Sequence, residues 1–140
     1  MADKRPVFGC VPSGVASRAR SAAYAVIRDE DGRVATVGSD SHRFLPGGGS
    51  HPRETVAQTV AREVLEELGC RIVLRESIGT AIQHFFSSDD SCWYTMEAAF
   101  VRAELAGDSS TRHSNGIVWL RQDQAEELLF HACHVWALRS

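Results

Sequence analysis

The sequence predicts a mixed α/β domain in which strands lie on either side of one central helix. Two observations favour this class. Segments that are typical of strands precede and follow a single long amphipathic helix, and a second helix ends the chain. The chain has 140 residues, of which 44% are hydrophobic and 24% charged. This length and composition are typical of one globular domain, residues 1–140, with its own hydrophobic core.

The first third of the chain predicts strands joined by a tight turn. Residues 7–11 are typical of an edge strand, and the apolar run 21–27 is typical of a buried one. Residues 29–32, Asp-Glu-Asp-Gly, supply turn chemistry, because glycine adopts positive φ without strain. Residues 33–37 are therefore expected to return as the second arm of a β-hairpin.

A glycine-rich loop at residues 44–50 leads into the central helix. Its glycines and Pro46 exclude a regular element there. Apolar residues then recur at helical spacing, which predicts an amphipathic helix from about residue 51 to Leu68. Ser50 or His51 is expected to cap its start, and Gly69 to end it.

The rest of the chain alternates strands and loops before a terminal helix. We expect strands at 71–74, 79–86, 93–104 and 117–120, a turn at 87–91, a loop at 106–115, and a helix at 122–138.

Charge and cysteine content exclude several classes of protein. The net charge of −3, without a run of Lys or Arg, argues against a nucleic-acid partner. Four widely spaced cysteines without a C-x-x-C pair favour reduced thiols. No secretory signal and no run of about 20 apolar residues is present, so we expect a cytoplasmic protein with no membrane partner.

Three glutamates of the central helix carry the functional signal. Glu63, Glu66 and Glu67 fall within about a 100° arc, near the helix C-terminus, where they repel one another and oppose the helix dipole. A solvated polar face is one interpretation. The other is a site for a hard divalent cation, because oxygen ligands suit Mg²⁺ or Mn²⁺.

The surrounding residues favour the second interpretation. Residues 48–70 resemble the Nudix box, the signature of the Nudix (MutT-like) hydrolase family, through identities at fixed spacing: Gly48, Glu54, Arg62, Glu63, Glu66, Glu67 and Gly69. Cys70 departs from the family, which usually has an aliphatic residue there. The resemblance implies a Nudix-type α/β/α sandwich with a mixed sheet and a loop-helix-loop box.

The resemblance also implies roles for residues of the box. Glu63 and Glu67 would be ligands of Mg²⁺ (or Mn²⁺), Glu66 a further ligand, and Gly47 a ligand through its backbone carbonyl. Arg62 would orient a glutamate by ion pairing. Glu54, the first glutamate of the box, would brace the loop.

Other catalytic assignments stay open. Glu66 is expected to accept the proton of the attacking water, with Glu97 as the alternative. Many family members supply another ligand or base, often Glu, from a loop before the last strand. Residues 111–116 contain no Glu there, although His113 or Asn115 could contribute.

Candidate substrate-binding residues lie outside the box. Phe85 or Phe86 could stack on a base, and Arg43 could contact phosphate, although packing and a solvated turn are equally ordinary explanations. His131 and His134 lie three residues apart, but without a third ligand they are interpreted as ordinary helix residues.

The resemblance implies an enzyme that hydrolyses a phosphoanhydride bond in a small nucleotide substrate. A nucleoside triphosphate and a nucleoside diphosphate sugar or alcohol are both open. The alternative is a Nudix domain that senses a nucleotide or metabolite without cutting it. Such domains usually lose box glutamates or are fused to a DNA-binding domain, and neither applies here. A homodimer is also open, because dimers are common in the family.

Overall fold

A computed structural model describes residues 4–107 and 117–140 of the chain. The elements follow in the order β1 Val7–Phe8, β2 Ser17–Ile27, β3 Val34–Gly38, β4 Arg43–Phe44, β5 Gly47–Gly49, α1 Val56–Leu68, β6 Ile72–Ser87, β7 Cys92–Leu105, β8 Val118–Leu120, α2 Gln122–Leu128 and α3 Ala132–Leu138.

The main sheet is mixed, with five strands in the order β1-β6-β7-β2-β5. Strands β2 and β7 run parallel over eleven residue pairs, from Ser17–Trp93 to Ile27–Ala103, while β6 with β7 and β2 with β5 are antiparallel. A second sheet has the order β4-β3-β8. The predicted mixed α/β class is confirmed.

Both faces of the main sheet are covered, which gives the molecule three layers. Alternate residues of β2 point to opposite faces. Ala23, Ala25 and Ile27 pack in the cluster that holds the apolar face of α1, whereas Tyr24 and Val26 pack in the cluster that includes the C-terminal helices. The site described below lies where α1, β5 and the C-terminal segment meet the sheet.

The predicted hairpin of residues 21–27 and 33–37 forms only at its closed end. The carboxylate of Asp29 accepts the N–H groups of Asp31 and Arg33, and a single antiparallel bridge joins Arg28 to Val34. Beyond that bridge β3 pairs with β4 and β8 in the second sheet. The hairpin prediction was therefore wrong beyond its turn, because β5 and the Pro46 carbonyl take the edge of β2 that β3 would need.

Helix α1 begins at Val56, five residues later than predicted. The N-cap is Thr55, whose hydroxyl accepts the Gln58 N–H, while the Gln58 side chain accepts the Thr55 N–H. This reciprocal capping box satisfies two N–H groups and fixes the start of the helix. Gly69 ends the helix as predicted, at φ 69° with its N–H bonded to the Leu65 carbonyl.

The predicted strands 71–74 and 79–86 form one long strand, β6, with register shifts between Leu74 and Gly79. The predicted edge strand 7–11 is observed at the sheet edge, but only Val7–Phe8 pairs with β6.

The predicted terminal helix 122–138 is divided into α2 and α3. The Phe130 N–H donates to the Arg43 carbonyl, and Leu129 bridges Arg43. This contact holds the chain extended between the two helices. The spacing of apolar residues could not predict this break, because the contact involves a segment that is distant in sequence.

The four cysteines all lie in the part of the chain that the structure describes and form no disulfide there; Cys70 and Cys133 are buried. Over the described ranges, no helix is long and apolar enough to span a membrane.

The capping box generates a test of helix stability. Thr55→Ala removes the side chain that accepts the Gln58 N–H, so we expect the free energy of unfolding to fall by about 1 kcal/mol. Urea denaturation measures this change. The matched control is Ser13→Ala in an exposed loop, which should leave the midpoint unchanged. Equal effects of both variants would contradict the assignment of Thr55 as the N-cap.

Candidate functional site

The glycine loop and the last turns of α1 are joined by direct contacts. The Gly47 N–H donates to Glu67 Oε1 at 2.9 Å. Glu63 lies against Gly48 so closely that a Cβ at this glycine would stand 2.8 Å from the Glu63 carboxyl carbon. Strand β5 and α1 therefore bring the predicted residues Gly47, Glu63 and Glu67 together.

Gly47 is required here by its backbone conformation. Its φ of 142° lies in a region that residues with a side chain rarely adopt, and an added Cβ would collide with the backbone of Ala23 and Tyr24. The close approach of β5 to β2 is what carries the loop over the carboxylates of α1.

Arg62 ties the loop, the turn before α1 and the acidic face into one unit. Its Nε and Nη2 donate to the two oxygens of Glu54 at 2.7 and 2.9 Å. Nη1 donates to Glu63 Oε1 at 2.9 Å, and Nη2 also donates to the Gly49 carbonyl at 2.9 Å. The planar guanidinium is suited to such paired contacts.

Glu54 is held ionised by these contacts. The Arg62 hydrogen bonds, followed by the His51 N–H at 2.8 Å, lower the pKa of Glu54 to about 2. The Thr59 hydroxyl adds a further hydrogen bond at 2.9 Å. Glu54 is thus the acceptor that orients Arg62, and Arg62 in turn orients Glu63.

Glu67 and Glu66 differ in environment although they are neighbours. Burial, followed by the charges of Glu63 and Glu66, raises the pKa of Glu67 to about 7 despite the Gly47 hydrogen bond. Glu66 has a side chain that is 58% exposed and lies 3.5 Å from Arg62. A bound cation would relieve the repulsion that Glu67 experiences.

The donor atoms of these residues are of the type that binds a divalent cation, although they do not yet surround one common point. They are hard oxygen donors, crowded on one helix face, with more negative charge than Arg62 balances. In the part of the chain that the structure describes, no group of three or more His, Cys, Asp or Glu side chains is already arranged around a common point.

A cavity of about 630 Å³ opens beside the carboxylates. Gly47, Gly48 and Glu67 line one end. Arg20 of β2 also lines it and lies next to Gly49, where an added Cβ would be 3.4 Å from the guanidinium. Within residues 4–107 and 117–140, Arg20 makes no hydrogen bond or ion pair. Its charge is therefore available to an anionic ligand.

The structure separates the three predicted substrate-binding residues. Phe85 lines the cavity. Phe86, the next residue of β6, is 48% exposed and contacts Trp93. Arg43 is only 4% exposed, and its guanidinium donates to the carbonyls of Thr36 and Gly38 at 2.7 Å. Arg43 therefore holds β4 to β3, and its buried guanidinium is not available to a phosphate, contrary to the prediction.

Several cavity residues were missed by sequence reasoning, notably Arg20, Phe44 and Asp89. A signal existed for Arg20. The alternation Arg18-x-Arg20-x-Ala22-x-Tyr24 continues the strand period toward the N-terminus, although the predicted strand began at Ser21. Phe44 and Asp89 lie in segments whose position only the tertiary structure sets.

The two C-terminal histidines are buried, and neither carries a metal-ligand set. His134 Nδ1 accepts the Leu45 N–H at 3.1 Å. Burial lowers the pKa of His131 to about 4 and that of His134 well below its usual value, so both are neutral near pH 7.

The remaining candidates lie away from the carboxylates or outside the described residues. Glu97, the alternative base, pairs with Arg5 at 3.1 Å and lines a separate cavity with His51 and Glu54. His113 and Asn115 fall in the range 108–116, outside the residues that the structure describes.

The environment of Glu67 predicts how pH affects the metal-free fold. Because its pKa rises from 4.5 to about 7 on folding, ionisation of Glu67 destabilises the fold as pH increases through that interval. With EDTA present, Glu67→Gln should therefore raise the melting temperature at pH 8 by about 2–5 °C, and by much less at pH 5. Thermal denaturation at both pH values measures this.

The matched control for this prediction is Glu127→Gln, which changes an exposed glutamate of α2. It should shift neither melting temperature. A Glu67→Gln protein no more stable than the wild type at pH 8 would contradict the strained environment of Glu67.

Known proteins that are similar to this chain are Nudix proteins, which agrees with the geometry of the site. A family model described as the NUDIX domain matches residues 18–135. Nudix hydrolase 16, mitochondrial, from Arabidopsis thaliana is 30% identical over 140 residues, an alignment that covers 91% of this chain and 73% of that protein.

Solved structures share the fold. The MutT protein from Methanosarcina mazei Go1 superimposes with a TM-score of 0.64 at 22% identity, covering 88% of this chain and 92% of that one. An ADP-ribose pyrophosphatase from Streptococcus suis 89-1591 gives 0.57 at 19% identity, with coverages of 85% and 88%. These likenesses confirm the predicted Nudix fold. Since the family model spans most of the chain and a named hydrolase is 30% identical to it, the chain belongs to the Nudix hydrolase family.

Proposed function

We propose that this enzyme hydrolyses a phosphoanhydride bond in a nucleoside diphosphate that is linked to another group. The observation that carries the proposal is the acidic face of α1, held by Arg62 under a glycine loop beside the cavity. A volume of about 630 Å³ is in the range of small-molecule sites. A nucleoside triphosphate, cut to monophosphate and pyrophosphate, and a nucleoside diphosphate sugar or alcohol are both candidates.

The residues that would hold Mg²⁺ or Mn²⁺ are Glu63, Glu66 and Glu67, together with the carbonyl of Gly47. When bound, the metal neutralises diphosphate charge and makes a bound water more acidic. Arg62 contributes by fixing the rotamer of Glu63, which would otherwise be repelled by its neighbours. Glu54 contributes indirectly, because its ionised carboxylate fixes Arg62.

Glu66 is the residue that we assign as the acceptor of the water proton. Its side chain is exposed beside Arg62, so it can reach a water at the open side of the site. The alternative, Glu97, is paired with Arg5 and faces a different cavity. In the reaction the water oxygen bonds to phosphorus, the bridging P–O bond breaks with its electron pair left on the bridging oxygen of the departing phosphate, and Glu66 takes the water proton.

Arg20 would bind a phosphate oxygen of the substrate. It is a cation in the cavity that also holds Glu67, and its guanidinium lies next to the glycine loop. A guanidinium matches the geometry of phosphate oxygens and keeps its charge at all physiological pH values. The substrate's diphosphate would thus lie between Arg20 and the acidic face of α1.

A nucleotide panel tests the hydrolase proposal. Triphosphates, oxidised triphosphates, diphosphate sugars and dinucleoside polyphosphates are incubated with Mg²⁺ or Mn²⁺, and the products are separated by chromatography. We expect one class to be hydrolysed, and Glu67→Gln to lower kcat/KM by about 100-fold or more, because a ligand is lost. Glu127→Gln should retain full activity.

The same samples distinguish an enzyme from a nucleotide sensor. Mn²⁺ binding is measured by electron paramagnetic resonance beside the activity assay. Tight nucleotide binding without cleavage in the presence of Mn²⁺ would replace the hydrolase proposal with the sensor.

The role of Arg20 gives a separate prediction. Arg20→Met keeps the length of the side chain but removes its charge, so kcat/KM for the hydrolysed substrate should fall by about tenfold through loss of a charge-assisted hydrogen bond. Arg33→Met, at an exposed position of the β2–β3 turn, is the control and should leave kcat/KM unchanged. Unaltered kinetics of Arg20→Met would remove Arg20 from the substrate site.

A further inference from the structure

The cavity beside the carboxylates has two polar ends, one with Arg20 and Glu67 at the glycine loop and the other at the β6–β7 turn. Arg20 lies near the glycine loop, as described above. The β6–β7 turn contributes Ser87, Asp89 and Asp90 to the lining. The acidic turn repels phosphate, whereas Arg20, together with a cation held by the carboxylates of α1, would attract it. An anionic substrate would therefore bind with its phosphates near Arg20 and its remaining group near the turn.

The two aspartates of this turn are not equivalent. Asp90 accepts the Tyr94 hydroxyl at 2.7 Å, and its N–H donates to the Ser87 hydroxyl at 3.2 Å. Asp89, by contrast, has no hydrogen bond or ion pair in the described part of the chain, and it is exposed on the cavity lip. Its carboxylate is therefore the acceptor that a ligand can use.

Aromatic rings line the cavity beyond the glycine loop. Phe85 is backed by Tyr94, with ring centroids 5.5 Å apart and nearly parallel planes. The imidazole of His131 contacts both phenyl rings, with centroid distances of 4.6 Å to Phe85 and 5.6 Å to Phe44. Tyr94 also holds Asp90, which couples the position of the Phe85 ring to that of the turn.

His131 also forms part of the cavity wall. It is 96% buried, and its Nδ1 has no hydrogen-bond partner among the described residues. A wall of aromatic rings suits a heteroaromatic base, which can stack on them, better than a sugar.

We propose that Asp89 selects a purine whose pairing edge carries two adjacent N–H donors, that is, guanine, with the base against Phe85. Asp90 acts as a positioning residue through Tyr94. This inference rests on the proposed function, because it names the nucleoside whose phosphates the carboxylate site would receive.

The hydrogen-bonding pattern of the bases explains the choice. An ionised carboxylate only accepts hydrogen bonds, and it binds best to two parallel donors. Guanine offers N1–H and the N2 amino group side by side. Adenine and cytosine place an acceptor nitrogen beside the amino group, and uracil places carbonyl oxygens on both sides of its N–H, so each meets repulsion at the carboxylate.

Binding of nucleoside monophosphates tests this without requiring turnover. Calorimetry with Mg²⁺ compares GMP, IMP, AMP and UMP on the wild type, on Asp89→Asn and on the control Asp31→Asn, which alters an exposed aspartate of the β2–β3 turn. IMP is the informative ligand, because it differs from GMP only by the N2 amino group. We expect GMP to bind about tenfold more tightly than IMP.

Asp89→Asn should reduce that ratio to about one, since the amide presents a donor where guanine also has one. Asp31→Asn should keep the wild-type ratio. Melting temperatures of both variants verify that they are folded.

The outcomes separate this inference from the hydrolase proposal. If nucleotides are hydrolysed but GMP and IMP bind equally, or if Asp89→Asn keeps the preference, the role of Asp89 is overturned and the hydrolase stands. If GMP binds with a preference that depends on Asp89 and nothing is hydrolysed, base selection stands and the hydrolase proposal fails. If no monophosphate binds and no nucleotide is hydrolysed, both are overturned.

Discussion

The ion-pair and hydrogen-bond network of Arg62 is the interaction on which the site depends. One guanidinium contacts Glu54 before the helix, Glu63 within it and the carbonyl of Gly49 in the loop. These three groups come from different local structures, and only a planar cation with several donors can join them. Without it, the loop would lose its anchor and the carboxylates of α1 would spread apart by repulsion.

The position of the cavity depends on the close approach of the glycine loop to β2. The glycine loop approaches β2 closely, which brings Arg20 beside the loop and leaves room for a substrate between Arg20 and Glu67. On the other side, the turn between β6 and β7 contributes Asp89 and Asp90 to the cavity lining. The sheet thus sets the distance between the phosphate end and the base end of the cavity.

Strain in the metal-free site follows from this arrangement. Glu67 is partly buried next to two other glutamates, and burial together with their charges raises its pKa, so the ionised carboxylate is unfavourable there. A protein selected only for stability would not keep such a cluster. This repulsion between carboxylates is consistent with a cation partner, because a bound cation would offset it.

The sequence by itself determined the mixed α/β class and the central helix with its Gly69 end, because these depend on local periodicity and on residues close together in the chain. The fixed spacing of Gly48, Glu54, Arg62, Glu63, Glu66, Glu67 and Gly69, through its resemblance to the Nudix box, indicated the family. The tertiary structure alone decided the division of the terminal helix and the diversion of β3 into a second sheet. It also decided that Arg43 is structural while Arg20, Phe85 and Asp89 share a cavity. Each of these depends on a contact between segments distant in sequence, and such contacts have no local spacing from which they could be inferred.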